Sequence, residues 1–199
     1  MQLWGSLVIT HPSKERLSMT YYGATQLAAS FRTVRQNTVQ IAEEIPENQY
    51  GFIPAEGARS IGDTLVHIAF APQFQLSLHA GEPRSTFEGF DFMAVMKTMA
   101  DQEAEERTPS QIVELLKTEG EVCASFLEGM SDEFLAESFT MPADSTPATK
   151  SRFEMLLSVK EHEMHHRGQL MLAERLIGLV PHLTRARLEY AAQAQSSTS

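Results

Sequence analysis

The sequence holds a single cysteine, Cys123. One thiol excludes an intrachain disulfide and any thiolate zinc cage, and it fits a reducing, cytoplasmic compartment. Basic residues are scarce: Lys and Arg total 16 against 26 Asp and Glu, for a formal charge of −10. Binding to a phosphate backbone needs clustered cations, so nucleic acid is a poor partner for this chain. No apolar run approaches the roughly 20 residues that span a bilayer, so no membrane partner is expected. The opening MQLWGSLVITHPSKERL lacks the basic start and small-residue cleavage site of a secretion signal. Strand-like alternation and internal repeats are also missing. With 42% apolar and 21% charged residues in 199, what remains is one ordinary globular domain.

What is present is helical patterning. The first stretch runs from about Tyr21 to Glu44, with Leu27, Phe31, Val34, Thr38 and Ile41 as its inward stripe, and Pro46 ends it. A second opens at Ser60-Ile61-Gly62-Asp63, which matches a capping box, and runs to about His79, with Pro72 breaking it. A shorter helix follows over Asp91–Glu105, and its acidic run Asp101 to Glu106 reads as a solvated face. Thr108-Pro109-Ser110-Gln111 starts a fourth helix, with Ile112, Leu115, Leu116, Val122, Cys123 and Phe126 inward. The segment from Glu137 to Thr149 reads as an irregular loop. Ser151-Arg152-Phe153-Glu154 caps a last long helix that Gly178 and Pro181 stop. The expected fold class is therefore all-α, an antiparallel four-helix, up-down bundle with an extra short helix. We expect residues 1–18 to form a flexible N-terminal extension, with Met19 as an alternative start, residues 19–181 the bundle, and residues 182–199 a frayed C-terminal tail.

The last helix carries His162-Glu163-Met164-His165-His166, which satisfies H-E-x-x-H, the zinc-protease signature. A protease needs a third ligand downstream and a strand edge to hold peptide backbone. Gly168 falls one residue too early for the longer form of the motif, and the downstream acids are Glu174, on the same helix, and Glu189, near the tail. No strand is available, so the protease reading is set aside.

Helix geometry offers another reading. At about 100° per residue, His162 and His166 lie about 40° apart, on the face shared by Met155, Val159, Ala173 and Ile177. His67 interrupts a second stripe of Thr64, Ala71, Phe74 and Leu78. Three histidines on two helices thus point into the bundle. A lone core histidine is commonly just hydrogen-bonded, but a pair one turn apart is a natural grip on a divalent metal, Zn²⁺, Ni²⁺ or Fe²⁺. Three imidazoles leave a coordination position open, as in catalytic sites. His165 lies to one side as a bystander or supporting group, and His11, His79 and His182 are expected to be exposed. Glu163 with His166 makes E-x-x-H, but a di-iron bundle needs a second copy, and none exists. A second apolar row of Phe153, Leu157, Met164 and Met171 lies opposite the histidines and points to a homodimer face.

Ser60-Ile61-Gly62-Asp63-Thr64-Leu65-Val66-His67-Ile68-Ala69, followed downstream by His162-Glu163-Met164-His165-His166-Arg167-Gly168-Gln169-Leu170 and Gly178-Leu179-Val180-Pro181, resembles the DinB/YfiT-like superfamily. The resemblance covers about Met19 to Pro181. It implies a four-helix bundle with a divalent metal held by His67, His162 and His166, in which Glu163 need not serve as a base. Relatives resemble thiol-dependent transferases and isomerases that use low-molecular-weight thiols such as bacillithiol or mycothiol, which a metal would present as thiolate.

The expected function is a metal-dependent enzyme, of thiol-dependent S-transferase, isomerase or hydrolase type, acting on a small electrophilic molecule. Arg167 and Gln169 are candidate substrate or supporting groups beside His165. The alternative is a non-catalytic metal-binding or dimeric interaction protein. A closed fourth protein ligand would favour that alternative, and an open position beneath a cleft would favour the enzyme.

Overall fold

The computed structural model describes residues 22–81 and 84–196, so the expected extension over residues 1–18, and His11 with it, lie outside the described residues. Four helices build the core: α1 (Ala24–Glu44), α2 (Ile61–Phe70), α5 (Pro109–Glu128) and α7 (Arg152–Leu176). α1 packs on α5, α5 on α2, α2 on α7 and α7 on α1, which closes a four-membered ring. α3 (Gln73–His79) and α4 (Phe92–Glu103) lie beyond α2, and α6 (Asp132–Ala136) packs on α7. Pro72 divides α2 from α3 because its ring cannot continue an intact helix.

Local chemistry sets the helix ends. The Thr108 hydroxyl accepts from the Gln111 amide while the Gln111 side chain accepts from the Thr108 amide, and Pro109 fills the first helical position. Ser151 and Glu154 form the same reciprocal box on α7. At α2 the box is incomplete. Ser60 accepts from the Asp63 amide, but the Asp63 carboxylate takes the Ser60 hydroxyl at 2.7 Å rather than a backbone N–H. Gly178, at φ 87°, closes α7, with the Leu179 amide reaching back to Glu174 and the Gly178 amide to Arg175.

The loop expected over Glu137–Thr149 holds short structure: β1 (Ser138–Thr140) pairs antiparallel with β2 (Thr149–Ser151). Three-residue strands are too short for alternation to be legible in sequence. Residues 182–196, expected within a tail, form helix α8 (His182–Ser196). Two histidines expected at the surface are buried. His182 bonds Asn37, and His79 bonds the fully buried Arg152, whose other partners are Glu137 and the Arg84 carbonyl. Val122, expected inward, is exposed. Phe153, Leu157 and Met171 pack against the core, which leaves Met164 as the exposed member of the second apolar row.

The core divides into two large apolar clusters. One gathers Phe31, Cys123, Leu127, Leu156 and Val159, and the other Ile41, Leu65, Ile68, Leu116 and Leu170. Burying each such side chain contributes about 1.5–3 kcal/mol before chain entropy is counted. Between the clusters lies a polar layer that includes Arg35, Glu163 and His166. Burial also holds the Cys123 thiol well up, at about 12, so it is core filler rather than a nucleophile.

Near the end of α7, the Glu174 carboxyl is fully buried and neither oxygen has a hydrogen-bond partner. Burial, with a smaller push from Glu44, raises its pKa to about 7. The folded value lies above the unfolded one, so the associated stability is full below the unfolded pKa and is lost as pH rises through about 7. We expect Glu174→Gln to flatten this dependence. Urea melts should show a relative gain for the variant of up to about 3 kcal/mol on going from pH 5 to pH 8. Parallel pH profiles for the two proteins would contradict the assignment.

Candidate metal centre

His67 on α2 and His162 and His166 on α7 are brought together in the polar layer, with one ligand atom from each within 4.8 Å of the others. The His162 Nε2 atom lies 3.2 Å from His67 Nε2 and 2.8 Å from His166 Nε2. The outer nitrogens fix the tautomers. His67 Nδ1 lies 2.8 Å from Glu103 Oε1, an acceptor, so Nδ1 carries the proton and Nε2 turns its lone pair inward. His166 Nδ1 donates to Gln169 Oε1 at 2.8 Å, with the same consequence. His162 can offer one Nε2–H, which satisfies one of the two facing lone pairs and not both. Three imidazole nitrogens converging in this way are a donor set that a divalent cation satisfies, so the residues present fit the group.

The protonation states agree. Burial, and then the neighbouring rings, push His166 down to about 4, the Gln169 bond opposing. Burial and the His67 ring also lower His162, to which the Arg59 charge adds. Both stay neutral near pH 7, which is the form that ligates.

The glutamate of H-E-x-x-H does other work. Glu163 points into the bundle and accepts from Arg35 Nε at 3.0 Å on both carboxylate oxygens. Arg35 also donates to the carbonyls of Leu116 on α5 and Ile68 on α2. Gly120 makes room, since a Cβ there would come 2.6 Å from Arg35 Cγ. Glu163 is a buried counter-ion and has no access to a substrate.

Of the other expected residues, Gln169 is a supporting group: its Oε1 holds His166 and its Nε2 donates to His165 at 3.2 Å. His165 is exposed and stands outside the cluster. Arg167 is felt at His182, toward α8. Sequence reasoning missed Glu103 and Arg35. In sequence Glu103 belongs to the run that reads as a solvated acidic face, yet it falls one turn after the buried Met99 and is legible on that ground. Arg35 and Glu163 each sit one turn after a buried apolar residue, Phe31 and Val159, which is the anomaly that exposed the histidines.

A cavity of about 570 Å³ opens onto the cluster at His166 and Gln169. The α7 residues Leu170, Ala173 and Leu176 form one wall, and the Pro54–Arg59 loop, turned by Gly57 at φ 76°, forms the other.

Two outcomes follow. Glu103→Gln removes the charge behind His67 and should weaken metal binding about 10–100-fold in a competition titration, with little change in helical signal. Glu163→Gln leaves the Arg35 guanidinium buried without its counter-ion and should cost about 3–5 kcal/mol in urea melts. The double change to Arg35→Met and Glu163→Met should recover most of that stability while metal affinity stays low. If both recover together, the pair does not set the geometry of the site.

Comparison with known proteins agrees with the four-helix fold. The family model of the DinB superfamily matches residues 30–170. A curated relative, the uncharacterized protein YjoA of Bacillus subtilis, is 24% identical over 155 residues, covering 78% of this chain and 91% of that protein. The crystal structure of that DinB-like protein matches at TM-score 0.55 and 23% identity, over 77% of this chain and 92% of its own. YfiT from Bacillus subtilis, described as a probable metal-dependent hydrolase with an unusual four-helix bundle topology, matches at TM-score 0.58 and 19% identity, over 83% and 94% of the two chains. A DinB-like protein from Bacillus cereus matches at TM-score 0.58 and 16% identity, over 78% and 93%. On the extent of the family match and the four-helix core, this chain belongs to the DinB superfamily.

Proposed function

We propose that the chain is a metal-dependent enzyme acting on a small electrophilic molecule, with a divalent ion held by His67, His162 and His166. The observation that carries this reading is the convergence of three imidazole nitrogens beside a cavity that His166 lines, with no fourth protein ligand among the described residues. An ion held there would supply Lewis acidity and would lower the pKa of a water or thiol.

The chain's own groups position and exclude. Glu103 and Gln169 hold two imidazoles by their outer nitrogens, which keeps the inner lone pairs aimed at one point. The side chains of Leu170 and Ala173 dry one wall of the cavity. Among the described residues that line the cavity there is no thiol or carboxylate, and the Thr64 hydroxyl donates to the Ser60 carbonyl. Cys123 is buried in the apolar cluster, and Glu163 and Glu103 are both engaged. The nucleophile must therefore be imported, as water for a hydrolase or as a low-molecular-weight thiol for a transferase or isomerase. The description of YfiT as a probable metal-dependent hydrolase supports the first, and a lining without thiol or carboxylate suits both.

Elemental analysis of the wild type beside His162→Ala tests the site, with about one ion per chain expected in the first and none in the second. The loaded protein is then offered a small ester and an activated aryl halide, with and without added thiol. Thiol-dependent turnover selects transfer, and thiol-independent turnover selects hydrolysis. Metal without turnover leaves the non-catalytic binding protein as the reading. Absence of metal from the replete wild type overturns the proposal.

A further inference from the structure

Among the described residues that line the cavity, Arg59 is the one charged side chain, and none is a carboxylate. That is unexpected in a chain with 26 acids and 16 bases. Arg59 is exposed, and among the described residues no carboxylate pairs with it, so its guanidinium is a free fork of N–H donors. Other cationic groups at the surface, such as Arg32, Lys117 and Arg185, are each taken by a glutamate. Along α7 the lining runs from His166 through Leu170 and Ala173 to Leu176, about 15 Å at the rise of a helix, and Ile61 on α2 faces the same space. The lining thus combines one cation and the polar Thr64, His166 and Gln169 with an apolar wall. The cavity is also within the size range of sites for small organic ligands.

We infer that the cavity selects an amphipathic small molecule whose oxyanion group, carboxylate or phosphate, is bound by Arg59 beside the histidine cluster, while its apolar body lies along Ile61, Leu170, Ala173 and Leu176. This inference deepens the proposed function and rests on it for the identification of the ligand as substrate. Arg59 acts as the specificity residue, because a guanidinium paired with an oxyanion by two N–H bonds rejects neutral and cationic analogues of the same shape. The apolar wall sets the preferred chain length, since each added methylene buries more surface.

The test is calorimetric titration of the full chain with octanoate, octyl phosphate and 1-octanol, on protein loaded with Zn²⁺ and on chelator-treated protein, after metal content is measured. Wild type should bind one of the two anions at least tenfold more tightly than 1-octanol, with whichever binds better naming the oxyanion. Shortening octanoate to butanoate should weaken binding about fourfold per methylene removed. Arg59→Gln should lose the preference for the anion by about tenfold, keep its metal, and bind 1-octanol as the wild type does. Arg59→Lys should keep part of the preference, because the charge remains and the fork is lost. Equal anion affinity in wild type and Arg59→Gln, or no anion binding at millimolar concentration, overturns the inference while leaving the metal reading intact. An Arg59-dependent preference in protein that never holds metal does the reverse: the charge selection stands and the metal reading falls.

Discussion

The buried pair of Arg35 and Glu163 is the constraint on which the rest of the bundle depends. A guanidinium taken out of water must find partners for its N–H groups, and this one finds them on three other helices. Glu163 on α7, the Leu116 carbonyl on α5 and the Ile68 carbonyl on α2 all converge on a side chain from α1. An ion pair of this kind contributes little net stability compared with apolar groups of the same shape, yet breaking one half of it is expensive. Its effect is therefore on register. Two apolar clusters can tolerate small slips of one helix against another, whereas a four-way polar contact cannot. Gly120 gives up helix propensity, about 1 kcal/mol against alanine, to let α5 approach.

The histidine cluster inherits that register. Ile68 follows His67, and Glu163 follows His162, so Arg35 grips each ligand helix one residue from its histidine. Sliding a helix by one residue turns a side chain by about 100° and moves it about 1.5 Å, which would scatter the three nitrogens. The layer that interrupts the core thus does two jobs at once. It fixes how the helices sit, and it supplies a place where imidazoles are dry enough to stay neutral. Glu103 extends the layer to α4, outside the four-membered ring, so the bracing of the site reaches helices that the core alone does not hold.

Much of this was legible in the sequence, and the failures have physical causes. Helical periodicity identified the inward faces, and polar residues on those faces marked His67, His162 and His166, which the structure brings together. The same rule applied to Arg35 would have found the pair. Arg35 escapes such a reading because long charged side chains are expected at the surface, and only a partner distant in sequence makes burial affordable. His79 and His182 were misplaced for that reason as well, since Arg152 and Asn37 cannot be inferred as their partners from local pattern. Helix α8 buries little beyond His182, so a reading based on apolar stripes had nothing to detect. Its alanines and glutamines favour helix without burial.

The five residues of H-E-x-x-H also show why a motif is settled by what stands opposite it. On any helix the glutamate lies about 60° from the second histidine, close enough to serve an ion when that flank faces a cleft. Here the flank faces α1, and Arg35 occupies it. The pattern therefore keeps its converging histidine pair and loses its base. On the proposed reading, a bundle that has committed its nearby carboxylates to Arg35 and His67 must leave acid–base chemistry to an incoming water or thiol. Selection among substrates then falls to the wall that the bundle does not constrain, the Pro54–Arg59 loop. Loops of this kind vary without disturbing the packing beneath them, so one rigid ligand frame can serve different small molecules by changing the segment that covers it.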